Sequence, residues 1–193
     1  MLSEQGRNLV IAVVGGLVVG AALGFVAFDG APLYLYFLQF NGLVESGWVW
    51  QLFTSIIVAP PTLTGLFDVV FNAIALAWLD GLFSFAYSRR QYYAVFLVTA
   101  VAGNVFSLAN GPGEVSFGAS GGIFGLLAGV ISFDITTNKR VDISLLAWFA
   151  GVFILSSFLL TFVDWTAHLG GALLGFALGY AVGRRRLASV SAD

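Results

Sequence analysis

Six long apolar runs constrain what this chain can fold into more than any other feature. They extend from Leu9 to Phe28, Leu66 to Phe85, Tyr92 to Ala109, Phe117 to Phe133, Ile143 to Val163 and Trp165 to Gly183. A helix needs about 20 residues to cross the hydrocarbon core, and backbone in lipid must satisfy its own hydrogen bonds, so runs of this length predict membrane-spanning α-helices. Composition agrees: 59% of the residues are apolar and 9% charged, where a soluble domain carries about 45–50% and about 25%. Six spans use most of the 193 residues and leave no room for a large soluble domain. The expectation is an all-α membrane protein, a six-helix bundle forming a single domain over residues 1–193. The first run lacks a small-residue cleavage pattern followed by a soluble body, and it reads as a span rather than a removed signal peptide. Between the first two runs lies an aromatic-rich stretch, Leu33–Gly65, with Trp48, Trp50 and the pair Pro60-Pro61. That mixture suits the membrane–water interface and predicts a large outer loop after the first helix.

Charge tests the span count independently. Arg7 precedes the first run, Arg89 and Arg90 separate the second from the third, Lys139 and Arg140 the fourth from the fifth, and Arg184, Arg185 and Arg186 follow the sixth. All eight basic residues therefore fall on one side, while Asp29, Glu45, Glu114 and Asp164 occupy the opposite loops. Short cytoplasmic loops retain Lys and Arg, so the pattern predicts a multi-pass protein of the cell membrane with both termini cytoplasmic. The arginine cluster after the last run reads as a stop-transfer and anionic-lipid anchor, and nothing beyond it suggests nucleic-acid binding. Asp80, near the cytoplasmic end of the second run, is expected to pair with Arg89 or Arg90.

Several chemistries are excluded at once. With no cysteine and one histidine there is no disulfide framework, thiol nucleophile or multi-histidine metal site. No phosphate loop or cofactor motif occurs, and the expected cofactors and metals are none. A small transporter would show paired intramembrane charges and an inverted repeat, and neither is found. The polar residues left at membrane depth are Asp68, Asn72, Asn104, Ser120 and His168. Asn104 is read as a bond across helices. The other four sit toward the outer ends of three helices.

Ser120 stands in Gly118-Ala119-Ser120-Gly121-Gly122 at the start of the fourth run, where free N–H groups and the positive end of the helix dipole stabilise developing negative charge. It is a candidate nucleophile, although small-residue spacing such as Gly118/Gly122 also serves helix packing. His168 precedes Gly171, Gly175, Gly179 and Gly183, a stripe that lets one helix approach another backbone closely. If the partner is the fourth helix, the imidazole reaches the Ser120 hydroxyl, the minimum arrangement for activating it. The plainer reading is a histidine that bonds a neighbouring helix.

Together, Gly118-Ala119-Ser120-Gly121 in the fourth run, Ala167-His168-Leu169-Gly170-Gly171 in the sixth and the long loop after the first resemble the rhomboid family of intramembrane serine proteases, from about Leu9 to Gly183. The resemblance implies a serine endopeptidase that hydrolyses peptide bonds of transmembrane protein substrates within the bilayer. Ser120 would be the nucleophile, His168 the general base, and the Ser120 N–H with the Asn72 amide the oxyanion donors. Gly118 and Gly121 would set the loop geometry, Phe124 would pack on the histidine ring, and Gly171 and Gly175 would pack the helices. Two positions depart from the family pattern. Asp68 stands where relatives often have histidine, so it either joins the oxyanion hole as a protonated donor or turns outward. Gln51 follows Trp50 where many relatives have arginine, which bears on the outer loop. A rhomboid-like protein without catalysis, binding membrane clients, is the alternative.

Overall fold

The computed structural model describes residues 1–140, 142–159 and 163–190. The chain is mostly helical, and among the described residues five helices are long and apolar enough to cross a membrane. Helix α1 (Glu4–Gly24) is capped by Ser3, whose side chain accepts from the Gly6 amide. It ends four residues before the apolar run does. Ala27–Phe28 (β1) instead pairs with Ala31–Pro32 (β2) around a tight turn at Asp29 and Gly30, both at positive φ. Hydropathy alone could not separate those last residues from the helix.

The stretch expected as a loop is built from short elements: a 3-10 turn at Leu33–Tyr36, strand β3 (Gln39–Phe40), helix α2 (Asn41–Glu45) and helix α3 (Gln51–Thr54). Buried amides hold it together. Gln39 donates to the Asn41 side chain and to the Asn104 carbonyl, both at 2.8 Å. Asn41 donates to the Ser107 and Gly111 carbonyls. Gln51 accepts from the Phe40 amide at 3.0 Å, so the glutamine that departs from the family pattern is a fully buried tie within this segment. Outside it, Tyr36, Trp48 and Trp50 stack in a row.

Helix α4 (Leu63–Ala86) starts after Pro60-Pro61 with Thr62 as its cap, and α5 (Arg89–Ser107) opens on a Ser88/Gln91 capping box. Strand β4 (Val115–Ser116) pairs with β3 and leads into α6 (Ser120–Asn138). This helix begins three residues later than its apolar run, because Phe117–Ala119 form the approach loop. It lies at the centre of the bundle and is buried on every side from Gly121 to Phe133. Helix α8 (Trp165–Val190) packs along it. Side chains at Gly171, Gly175 and Gly179 would collide with the carbonyls of Gly121, Gly125 and Gly129 respectively, so the two backbones touch through three successive turns. On its other flank α6 meets α5, where Gly122 faces Phe96 and Gly125 faces Thr99.

Helix α7 (Ile143–Leu159) is shorter and touches its neighbours sparingly. An edge contact at 5.0 Å between Trp78 and Trp148 joins it to α4. Residues 160–162, in the expected run to Val163, lie outside the described residues. Asp80 is also placed differently from expectation. It is buried and accepts from the Ser3 amide at 2.6 Å and the Ser3 hydroxyl at 2.7 Å, while Arg89 pairs with Glu4. Gly6 makes room for the Asp80 carboxylate. A carboxylate at membrane depth takes whichever donor is packed against it, and α1 brings Ser3 there.

Candidate active site

Ser120 is the first residue of α6, and no side chain caps the helix. The amides of its first turn therefore lack intrahelical acceptors and point toward the approach loop. The loop is hung from the segment that follows α1: the Gly118 amide donates to the Ser55 carbonyl at 2.8 Å. Asn104 of α5 in turn donates to the Ser55 hydroxyl at 3.1 Å and the Leu52 carbonyl at 2.8 Å. Asn104 thus bonds to the α3 region and steadies the serine loop from behind. Gly118 has φ +108, a conformation that strains any residue with a Cβ, and a side chain there would also meet the Asp68 carboxylate at 2.6 Å.

The backbone contact between α6 and α8 brings two residues 48 positions apart together. His168 Nε2 lies 2.9 Å from Ser120 Oγ. His168 is buried, and Phe124, one turn beyond Ser120, stacks on its ring with centroids 4.3 Å apart. With Nε2 accepting from the serine hydroxyl, Nδ1 carries the proton. Its neighbour is the Ser156 hydroxyl of α7 at 3.5 Å, a long contact. Among the described residues no carboxylate bonds the imidazole. Ser156 has no motif around it, so the sequence held no signal for it.

Asp164 caps α8 one turn ahead of His168. Its Oδ1 accepts from the Ala167 amide at 3.1 Å, the Thr166 hydroxyl at 2.6 Å and Asn110 at 3.0 Å. Burial pushes this carboxyl up, but the polar groups around it, the bonded Thr166 hydroxyl and Ala167 amide with the Ser107 and Ser116 hydroxyls nearby, outweigh it and hold it below the ordinary aspartate value. Glu114 is raised, by burial and then by the charge of Asp164.

These groups open on a cavity of 590 Å³ between α4, α6, α7 and α8. Its walls are apolar, with Phe71, Trp78, Leu127, Trp148 and Val152 among them. Asp68, Asn72, Gly118, Ser120 and His168 also line it. Asn72 is buried, and its Nδ2 has no hydrogen-bond partner among the described residues; the same is true of Asp68 Oδ2. A buried donor without a partner costs free energy, and here it belongs to a residue lining the same cavity as Ser120. Asp68, Asn72, Ser120 and His168, the four polar residues grouped from the sequence, line one cavity. Gly121 lies in the contact with α8, facing the Ala167 carbonyl, and so do Gly171 and Gly175. Among the described residues no group of side chains is suited to a metal ion.

The fold and cavity define an integral multi-pass membrane protein with a serine and a histidine in contact inside the helix bundle. The rhomboid domain model matches residues 46–185. Similar proteins of Arabidopsis thaliana include RHOMBOID-like protein 5, 33% identical over 72% of this chain and 46% of its own length, and RHOMBOID-like protein 1, 28% identical over 74% and 37%. RHOMBOID-like protein 7 is 29% identical over 74% and 46%. The chain belongs to the rhomboid family. It spans less than half the length of each of these relatives.

Proposed function

We propose that this protein is an intramembrane serine protease acting on transmembrane protein substrates through a Ser120–His168 dyad. The single observation that carries the reading is the 2.9 Å approach of His168 Nε2 to Ser120 Oγ inside the cavity. In the reaction, Ser120 Oγ attacks the scissile carbonyl carbon as its proton passes to His168 Nε2. The tetrahedral oxyanion is held by the Ser120 amide and by Asn72 Nδ2, each such donor being worth about 2.7–4 kcal/mol. Collapse of the intermediate breaks the C–N bond, and His168 returns the proton to the leaving amine. Water then adds to the acyl-enzyme with His168 again as base, releasing the acid and restoring the serine.

In this reading α7 completes a six-span bundle, the 25–62 segment is the outer loop, and both termini face the cytoplasm because all eight basic residues lie at one end. The scissile bond lies near the outer boundary, and the substrate helix unwinds locally before its backbone reaches the serine. A fluorophosphonate probe tests the proposal: it labels the wild-type protein and not Ser120→Ala, and the same substitution abolishes cleavage of a transmembrane substrate. Absence of labelling in folded wild-type protein would favour the client-binding alternative, which the uncompensated carboxylate of Asp68 supports.

A further inference from the structure

The cavity carries a charge imbalance that the dyad does not use. Asp68 and Asp164 both line it. With Asp29, Glu45 and Glu114 they place five carboxylates at this end of the bundle, while every Lys and Arg of the chain lies at the other. No lysine or arginine lines the cavity to pair with Asp68, and its Oδ2 is buried without a hydrogen-bond partner among the described residues. A carboxylate left so in an apolar cavity is costly unless it takes up a proton or a ligand brings the compensating charge, and a cationic ligand favours the ionised form.

The position of Asp68 says where that charge would arrive. Its carboxylate rests against Gly118, within 2.6 Å of where a Cβ would stand. Gly118 is two residues from Ser120, so their Cα atoms are at most about 7 Å apart. One turn along α4, buried Asn72 offers its unpartnered Nδ2 to the same cavity, a donor suited to a peptide carbonyl. A peptide carbonyl held between Asn72 and Ser120 therefore places the adjoining side chain within reach of Asp68.

We propose that the site selects transmembrane substrates with a basic side chain at or next to the scissile residue, and that Asp68 is the specificity-determining residue that receives its cation. This rests on the protease reading and names its substrate class. It also answers the difficulty that an ionised Asp68 poses for an oxyanion: the substrate's ammonium or guanidinium neutralises the carboxylate when the complex forms, so the preference is expressed in kcat as well as KM.

The test uses the full chain in proteoliposomes and a set of substrates with the same transmembrane segment, differing only in Lys, Arg, Met or Glu at the residues flanking the cleaved bond. For the wild type, kcat/KM for Lys or Arg is expected to exceed that for the uncharged Met substrate by about tenfold or more, with Glu lowest. In Asp68→Asn the Lys-to-Met ratio collapses toward one, whereas Glu45→Gln, remote from the cavity, keeps it. Fluorophosphonate labelling of Ser120, run alongside, reports folding of each variant and the protease reading itself. Wild type that is labelled yet cleaves the Met substrate as fast as the Lys substrate overturns the specificity inference and leaves the protease standing. A Lys preference lost equally in Glu45→Gln and Asp68→Asn also overturns it, in favour of a diffuse surface field. Wild type that is neither labelled nor cleaves any substrate overturns both.

Discussion

Gly171 of α8 lies in backbone contact with Gly121 of α6, the residue after the serine. A Cβ at position 171 would meet the Gly121 carbonyl, and the two helices would have to separate before any side chain fitted. Gly171→Val is therefore expected to move His168 away from Ser120 by about an ångström, and a displacement of that size can cost about 100-fold in rate. Probe labelling and substrate cleavage measure it. Gly81→Ala, where nothing lies within 4 Å, serves as the matched control and should leave both unchanged.

The tie from Asn104 through Ser55 to Gly118 makes a stability prediction. Asn104→Leu strips the Leu52 carbonyl and the Ser55 hydroxyl of their donor. The expected loss is about 0.6–2 kcal/mol, the range for polar contacts between membrane helices. Thermal unfolding in detergent should show it. Because Ser55 holds the Gly118 amide, activity should fall before the midpoint of unfolding is reached.

The two neighbours of the imidazole are not equivalent. Phe124 stacks on the ring at 4.3 Å, while Ser156 approaches Nδ1 only to 3.5 Å. Phe124→Ala leaves the ring free to tilt and is expected to lower kcat by about tenfold or more. Ser156→Ala is expected to change kcat by less than about threefold. Single-turnover cleavage of one substrate by both variants provides the comparison, and the reverse order would mean that Ser156 orients the histidine.

Asp164 predicts a pH effect on stability. Its folded carboxyl titrates below its ordinary value of 3.8. A depressed carboxyl contributes stability above the unfolded value and loses it as pH falls through the folded one. Other carboxylates titrate in the same range, so the difference between wild type and Asp164→Asn isolates this contribution. Asparagine can still accept from the Ala167 amide as a helix cap. The stability gap between the two proteins should be steady above about pH 4 and narrow as pH drops below it, followed by unfolding in detergent.

The membrane helices were legible in the sequence because hydropathy is a local property. The runs Leu66–Phe85 and Tyr92–Ala109 fall on α4 and on α5 with its 3-10 extension, and the glycine spacing of the last run marks the face that α8 lays on α6. The first run misled at its end, since Val26, Ala27 and Phe28 suit a strand at the membrane surface as well as a helix. Asp80 misled because its partner lies 77 residues away, where nearby arginines offered a plausible pair. Gln51 read as a departure from the family pattern, and only the packed segment shows it tying α3 to β3.

Hydropathy and the one-sided distribution of Lys and Arg determine by themselves that this is a helical membrane protein, because lipid penalises unpaired backbone and charge wherever they occur along the chain. Only the tertiary structure decided that His168 meets Ser120, that Asn72 keeps a donor unpartnered among the described residues in the same cavity, and that Asp68 rests on Gly118 with one oxygen likewise unpartnered. A glycine stripe permits close approach without naming the helix that will use it. Helix partners are chosen by the packing of the whole bundle, and the positions of these four side chains follow from that choice.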